Sequence, residues 1–140
     1  MERYRFLAHT ADAKFQAFGE TLEEAFSNAA LAIASLMWDW EKVEKKLEYK
    51  IGVEGRDLQQ LLNRFLEEIL YLLDTKNFLL RSAEKIKIEK KEREYKLEAV
   101  FKGDEYSDKY KIYGDVKAIT YNEMEIEDKG RFMVQVVVDI

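Results

Sequence analysis

The chain has 140 residues, of which 47% are hydrophobic and 36% are charged, and its formal net charge at pH 7 is −5. This length is typical of one domain, here residues 1–140, and the absence of cysteine excludes disulfides, thiolate metal sites and cysteine nucleophiles. The short apolar runs, the lack of a signal-peptide pattern and the acidic balance predict a cytoplasmic protein with no membrane partner and no broad nucleic-acid-binding face.

Two short strands are predicted near the N-terminus, over residues 3–8 and 13–18, and the turn between them has the sequence HTAD. This turn contains Thr10, Asp12 and His9, which is the only histidine in the chain. An aspartate in a tight turn commonly accepts a hydrogen bond from a nearby backbone amide, so the turn has a purely structural interpretation. The alternative is that it forms half of a site whose other half lies elsewhere.

Two amphipathic helices are predicted, over residues 21–37 and 57–74. Apolar residues recur three or four positions apart in each segment, as on one face of a helix, and the second segment is the more apolar. Each begins with a capping box, in which two side chains bind exposed backbone amides of the first turn. The capping pairs are Thr21 with Glu24 and Asp57 with Gln60.

The remaining segments are predominantly strands joined by hairpins. With two helices that each have one apolar face, this pattern predicts an α+β two-layer sandwich, with both helices packed on one face of a largely antiparallel sheet. The predicted strands cover residues 43–53, 78–80, 84–90, 94–101, 116–127 and 131–139, and residues 102–115 form the longest irregular stretch.

The sequence lacks the phosphate-binding and nucleophile motifs of common enzymes, so carboxylates and a metal are the chemistry that remains. The apolar segment FMVQVVVDI ends in Asp139 and Ile140, whose α-carboxylate adds a second anion. A frayed end is the structural interpretation. If the first and last strands run side by side, however, Asp12 joins Asp139 and the Ile140 carboxylate. Three such oxygen donors suit Ca²⁺, Mg²⁺ or Mn²⁺.

A third candidate is the segment DVKAITYNEMEIED, in which Lys117 falls on a predicted strand near Tyr121. An exposed strand lysine that packs beside a tyrosine would have the same pattern. Trp38 and Trp40 are interpreted as core or rim residues rather than as a platform for stacking bases.

Taken together, these segments resemble the archease family, small accessory proteins of the RtcB-type RNA ligase that joins tRNA halves. HTAD with the following AFGETLEEAFSNAALAIASLM resembles the N-terminal signature of the family, and LQQLLNRFLEEILYLLD resembles its second helix. VKAITYNEMEI is similar to its K-A-x-T-Y-H strand and VVVDI to its C-terminus. One departure is Asn122, which stands where the family generally has histidine.

The resemblance implies an α+β fold with a divalent-metal site at Asp12, Asp139 and Ile140, for which Ca²⁺ is the first choice and Mg²⁺ or Mn²⁺ the alternatives. It also implies that the chain has no independent catalysis but activates a partner, the RtcB-type RNA ligase, which itself uses GTP and Mn²⁺. Activation would promote guanylylation of the ligase, allow multiple turnover and broaden its use of nucleotides, with tRNA contacted only indirectly. The candidate activation residues are His9, Lys117 and Asn122.

Two functions of other classes remain open on the sequence. A small metal-dependent phosphohydrolase would use Asp12, Asp139 and His9, with Lys117 stabilising phosphate charge. The acidic balance and the lack of a phosphate-binding loop count against it. A chaperone-like binding module would not need the metal-site residues at all.

Overall fold

The computed structural model describes residues 2–9 and 11–140, so Thr10 of the HTAD turn lies outside the described residues. The described part contains two α-helices and eight strands, which confirms the predicted α+β class. None of its helices is both long and apolar enough to cross a membrane. In chain order the elements are β1 (Tyr4–Leu7), β2 (Ala13–Gly19), α1 (Leu22–Ser35), a 3-10 turn (Trp40–Lys42), β3 (Leu47–Gly55), α2 (Leu58–Lys76), β4 (Phe78–Lys91), β5 (Glu94–Glu105), β6 (Ala118–Ile119), β7 (Glu125–Asp128) and β8 (Phe132–Asp139).

Both helices begin at the predicted capping boxes. The Thr21 hydroxyl accepts a hydrogen bond from the backbone N–H of Glu24 at 3.1 Å, and the Glu24 carboxylate accepts one from the N–H of Glu20 at 3.0 Å. Asp57 accepts from the N–H of Gln60 in the same way, at 2.8 Å. These bonds pair amides that have no partner within the helix, which is why each helix begins where it does.

The described strands form two antiparallel sheets, a division that alternation of polar and apolar residues does not reveal. The first sheet has the order β1-β2-β8-β6, with β7 also paired to β8, and the second has the order β3-β5-β4. Helix α1 packs against β2, β8 and β4, so it contacts both sheets, and α2 packs against all three strands of the second sheet. Strand β8 has paired strands on both sides, and its residues from 133 to 138 are buried.

A row of three aromatic rings joins the helices to the second sheet. The ring centroids of Phe26 in α1 and Phe65 in α2 are 5.7 Å apart, and those of Phe65 and Phe101 in β5 are 5.5 Å apart. All three side chains are fully buried. Trp38 and Trp40 are also buried, as core or rim residues were expected to be.

Three predictions about the strands differ from the structure. Strand β5 continues to Glu105, four residues into the stretch predicted to be irregular. Residues 78–80 and 84–90 belong to one strand, β4, whose pairing with β5 is interrupted by register shifts that disturb the alternating pattern. Conversely, the single strand predicted over residues 116–127 is divided into β6 and β7. Between them the chain leaves the sheet, and the hydroxyl of Thr120 donates a hydrogen bond to the carbonyl of Val137 at 2.7 Å.

Glu84 of β4 carries a network that should make stability depend on pH. Its carboxylate lies 2.8 Å from the Lys45 ammonium, accepts a hydrogen bond from the Ser82 hydroxyl at 2.6 Å, and lies 3.5 Å from the ammonium of Lys102. The first two contacts contribute most to lowering the pKa of the Glu84 carboxyl to about 2. Because this value is below that of an unfolded glutamate, the network stabilises the fold above about pH 4.5 and is lost as the pH falls towards 2.

Glu84→Gln should therefore lower the free energy of unfolding by about 1–2 kcal/mol at pH 7, since solvent at this 30% exposed side chain weakens the full linkage of about 3 kcal/mol. The difference between wild type and variant should become small as the pH falls to 2, where about half of the Glu84 carboxyl groups are protonated. Urea unfolding followed by circular dichroism between pH 2 and 7 measures the difference. Glu48→Gln, at an exposed position of β3, is the control; a Glu84→Gln deficit that did not shrink in acid would contradict this role.

Candidate functional site

The pairing of β2 with β8 brings two of the predicted site residues together. Ala13 lies opposite Val138 in this antiparallel pair, and continuing the register by one residue places Asp12 opposite Asp139. Residues in such positions have Cα atoms within about 5.5 Å of each other. The strand that pairs with β8 on this side is therefore β2, the second strand of the chain and not the first. Strand β1 lies at the edge of the sheet.

Two further predicted residues lie at the same end of the sheet. Ala118 of β6 is paired with Asp139, and the backbone N–H of Lys117 donates to the carbonyl of Asp139 at 2.8 Å. Ile140, which follows Asp139, is 48% exposed, and the side chains of Lys117 and Asp139 are also exposed. We call the set Asp12, Lys117, Asp139 and Ile140 the acidic edge. Three of its four members are exposed to solvent.

His9 does not stand alone beside this edge, because it contacts a residue that the sequence did not single out. Its Nε2 atom lies 2.9 Å from Oε2 of Glu123, and the Lys14 ammonium lies 3.1 Å from the other carboxylate oxygen. The hydrogen bond from His9, followed by that from Lys14, lowers the pKa of the Glu123 carboxyl. Glu123 therefore connects the HTAD turn and β2 to the segment between β6 and β7.

The segment of residues 120–124, here called the crossing loop, is held against the sheet by buried amide groups. The side-chain amide of Gln135 donates to the carbonyl of Glu123 at 2.8 Å, and Gln16 donates to the Gln135 side-chain oxygen at 3.0 Å. Gln135 is only 6% exposed. Asn122 lies on this loop with an exposed side chain, and its backbone N–H donates to the Thr120 hydroxyl at 3.3 Å.

The donor atoms of the acidic edge fit a hard divalent cation. Asp12 and Asp139 can offer carboxylate oxygens, and the main-chain oxygen of Ile140 is a third possible donor. Ca²⁺, Mg²⁺ and Mn²⁺ prefer such ligands, whereas zinc sites are commonly built from thiolate and imidazole. Among residues 2–9 and 11–140, no three His, Asp or Glu side chains are grouped as metal ligands.

Glu123→Gln should loosen the crossing loop, because the neutral amide loses its ionic attraction to Lys14 and can present only one acceptor oxygen. We expect amide hydrogen exchange of residues 120–124 to accelerate by about tenfold, with little change in the rest of the sheet. The ring resonances of His9, the only histidine, should shift in the same variant. Glu125→Gln, at an exposed neighbouring position on β7, is the matched control. Identical exchange and identical ring resonances in both variants would show that Glu123 does not anchor this loop.

Known proteins match this chain over all or nearly all of its length. Residues 4–140 match the archease protein family (MTH1598/TM1083). The chain is 43% identical over 143 residues to protein archease of Pyrococcus furiosus, covering 100% of both chains. It is 45% identical over 140 residues to protein archease of Pyrobaculum neutrophilum, covering 98% of this chain and 95% of that one. The solution structure of Methanobacterium thermoautotrophicum protein 1598 is similar with a TM-score of 0.85, at 34% identity and 100% coverage of both chains.

Proposed function

Because this chain belongs to the archease family, we propose that it activates an RtcB-type RNA ligase and does not itself catalyse ligation. The observation that carries the proposal is that Asp12 of HTAD, the VKAITY segment and VVVDI meet at the acidic edge through the pairing of β2, β8 and β6. In this proposal the chain promotes guanylylation of the ligase histidine and so permits multiple turnover. The partner uses the GTP and Mn²⁺ and binds the tRNA, and activation broadens the nucleotides that it accepts.

A divalent cation at the acidic edge is part of the proposal, with Ca²⁺ as the first choice. Asp12, Asp139 and the main-chain carboxyl group of Ile140 would hold it. When bound, the cation supplies a fixed positive charge at an exposed edge that is otherwise acidic. Without it, the neighbouring carboxylates repel each other, and a bound cation would offset that repulsion.

The polar residues in and beside the acidic edge differ in the contacts that they can offer a partner. Lys117 presents an exposed ammonium group that can pair with an anionic group of the partner. His9 is oriented by Glu123 at 2.9 Å. Asn122 can donate or accept hydrogen bonds but cannot take up a proton as a histidine does. Asn122 therefore carries no proton transfer during guanylylation in this proposal.

Ligation of RNA halves by a purified RtcB-type ligase, with GTP and Mn²⁺, tests the proposal directly. At one tenth of the ligase concentration, the chain should convert a single round of ligation into many rounds. The chain alone should ligate nothing. Equal ligase turnover with and without the chain would refute the activating role, whatever the fold.

The phosphohydrolase alternative has less support from the geometry. Its carboxylates lie at an exposed edge, whereas substrates are generally enclosed in a cleft. A cavity of about 660 Å³ is instead formed by the β3–α2 connection and the β4–β5 hairpin, away from Asp12 and Asp139. Hydrolysis of p-nitrophenyl phosphate by the chain alone, lost in Asp139→Asn, would favour the hydrolase.

A further inference from the structure

Four of the seven arginines lie over the faces of two aromatic rings. The guanidinium carbons of Arg3 and Arg81 are 5.4 and 5.2 Å from the centroid of the Trp40 ring. Those of Arg5 and Arg131 are 5.7 and 4.2 Å from the centroid of Phe18. Arginine is preferred to lysine where a planar cation must stack on a ring and present several N–H groups at once. We call these four residues the arginine surface.

The arginine surface is held in place by the fold. The backbone N–H of Phe18 donates to the carbonyl of Arg3 at 2.9 Å, and the indole N–H of Trp40 donates to the hydroxyl of Tyr4 at 3.0 Å. Arg81 lies at a β-bulge, because the pairing of β4 with β5 shifts between Leu80 and Ser82. Bulges change the direction of a side chain, and this one is directed towards Trp40.

The charges of this surface are incompletely neutralised within the chain. Arg5 pairs with Glu2 at 2.7 Å. Within residues 2–9 and 11–140, no carboxylate lies within 4 Å of the guanidinium groups of Arg3, Arg81 or Arg131. Arg131 nevertheless interacts electrostatically with the carboxylate of Glu2, so within the same residues Arg3 and Arg81 are the two guanidiniums of this surface whose charge is least compensated.

A concave site accompanies the unpaired guanidiniums. A cavity of about 520 Å³ is lined by Arg3, Tyr4, Trp40, Glu41 and Arg81. This volume is within the range of small-molecule sites in proteins. The Tyr4 hydroxyl accepts the indole N–H of Trp40, which leaves its own hydrogen for donation into the cavity.

We propose that this cavity binds a terminal phosphate group, supplied either by a free nucleotide or by the phosphorylated end of an RNA strand. Two guanidiniums and one phenol hydroxyl provide donors for three oxygens, which a phosphate has and a carboxylate lacks. The exposed carboxylate of Glu41 at the rim disfavours a long run of negative charge there and so favours a single phosphate. The site is separate from the acidic edge, and it does not depend on the ligase proposal.

Binding is measured on the full chain by calorimetry and by the indole N–H resonance of Trp40, in low salt. The probes are inorganic phosphate, AMP, a 5′-phosphorylated RNA decamer and a glutamate-rich decapeptide. Inorganic phosphate and AMP should both shift the Trp40 resonance. If the RNA decamer binds about as tightly as AMP, a free nucleotide is the source of the phosphate. If the decamer binds at least about tenfold more tightly than AMP, an RNA strand is the source.

The conservative variants Arg3→Lys and Arg81→Lys keep the charge and lose the paired N–H groups, so each should weaken phosphate binding by about tenfold at an unchanged melting temperature. Arg56→Lys, at the β3–α2 connection, is the matched control and should bind normally. The proposal is overturned if no phosphate probe binds below 10 mM, if both lysine variants bind as wild type does, or if the acidic peptide binds more tightly than every phosphate probe.

Discussion

Asp139→Asn should lower the affinity of the chain for Ca²⁺ and Mn²⁺ by about a hundredfold and should remove most of the activation of an RtcB-type ligase. Asparagine has the size of aspartate, so the backbone pairing of Asp139 with Ala118 is preserved while one negative charge is lost. Even residues that only orient metal ligands change affinity by about 10–100-fold, and loss of the charge of a direct ligand should cost at least as much. Calorimetry with each ion and turnover of the ligase measure the two effects.

Asp12→Asn should behave in the same way, because Asp12 lies opposite Asp139 in the continued register. Asp108→Asn, in the exposed segment after β5, removes the same charge far from the acidic edge and is the control. Without metal, the two edge variants should be as stable as wild type or slightly more so, since a repulsion is removed. Amidation of Ile140 in the 140-residue chain tests the main-chain donor.

The proposed metal site would be refuted if Asp12→Asn, Asp139→Asn and the amidated chain all bound the ions as wild type does. Unchanged activation of the ligase by these three proteins would favour a chaperone-like binding module.

Gly103→Ala should destabilise the second sheet by about 2–4 kcal/mol, the largest effect on stability expected from a single added methyl group here. A Cβ atom at Gly103 would overlap the backbone carbonyl oxygen of Leu79 and would lie 2.8 Å from the ring of Phe78. The ladder of β4 and β5 fixes that carbonyl, so relief requires breaking strand pairs. Urea unfolding measures the loss.

Gly52→Ala is the matched control, because it adds the same methyl group to another strand of the same sheet. Nothing lies within 4 Å of a Cβ atom at Gly52. Alanine in an open strand position costs less chain entropy than glycine, so this variant should be neutral or more stable by up to about 1 kcal/mol. If the two variants unfolded at the same urea concentration, close packing against Leu79 would not be the reason for glycine at residue 103.

The helices could be predicted because their capping bonds join residues that are close in the sequence. The break between β6 and β7 could not, because it depends on contacts with residues distant in the sequence. Thr21 and Asp57 begin helices by bonds to residues three positions ahead, which any reader of the sequence can identify. The crossing loop, in contrast, leaves the sheet because of Val137 and Gln135, which are distant in the chain. The segment of residues 116–127 alternates like a strand, so local periodicity alone could not show the break.

Part of the candidate site could also be predicted from the sequence and part could not. Asp12 and Asp139 each flank an apolar strand, so a single assumption about strand neighbours was enough to place them together, although the neighbour of β8 is the second strand. Glu123 had no such signal. Its contacts with His9 and Lys14 exist only because the crossing loop passes over the sheet. Charge and spacing in the sequence cannot reveal a contact of that kind.

The place of β8 in the first sheet has a consequence for synthesis on the ribosome. Strands β3, β4 and β5 are complete by residue 105, so the second sheet can pair while the rest of the chain is still being made. The first sheet cannot, because β2, β6 and β7 all pair with β8, which is made after them. Until residue 139 leaves the exit tunnel, these strands have unpaired edges, and a chaperone that covers them would prevent association between nascent chains.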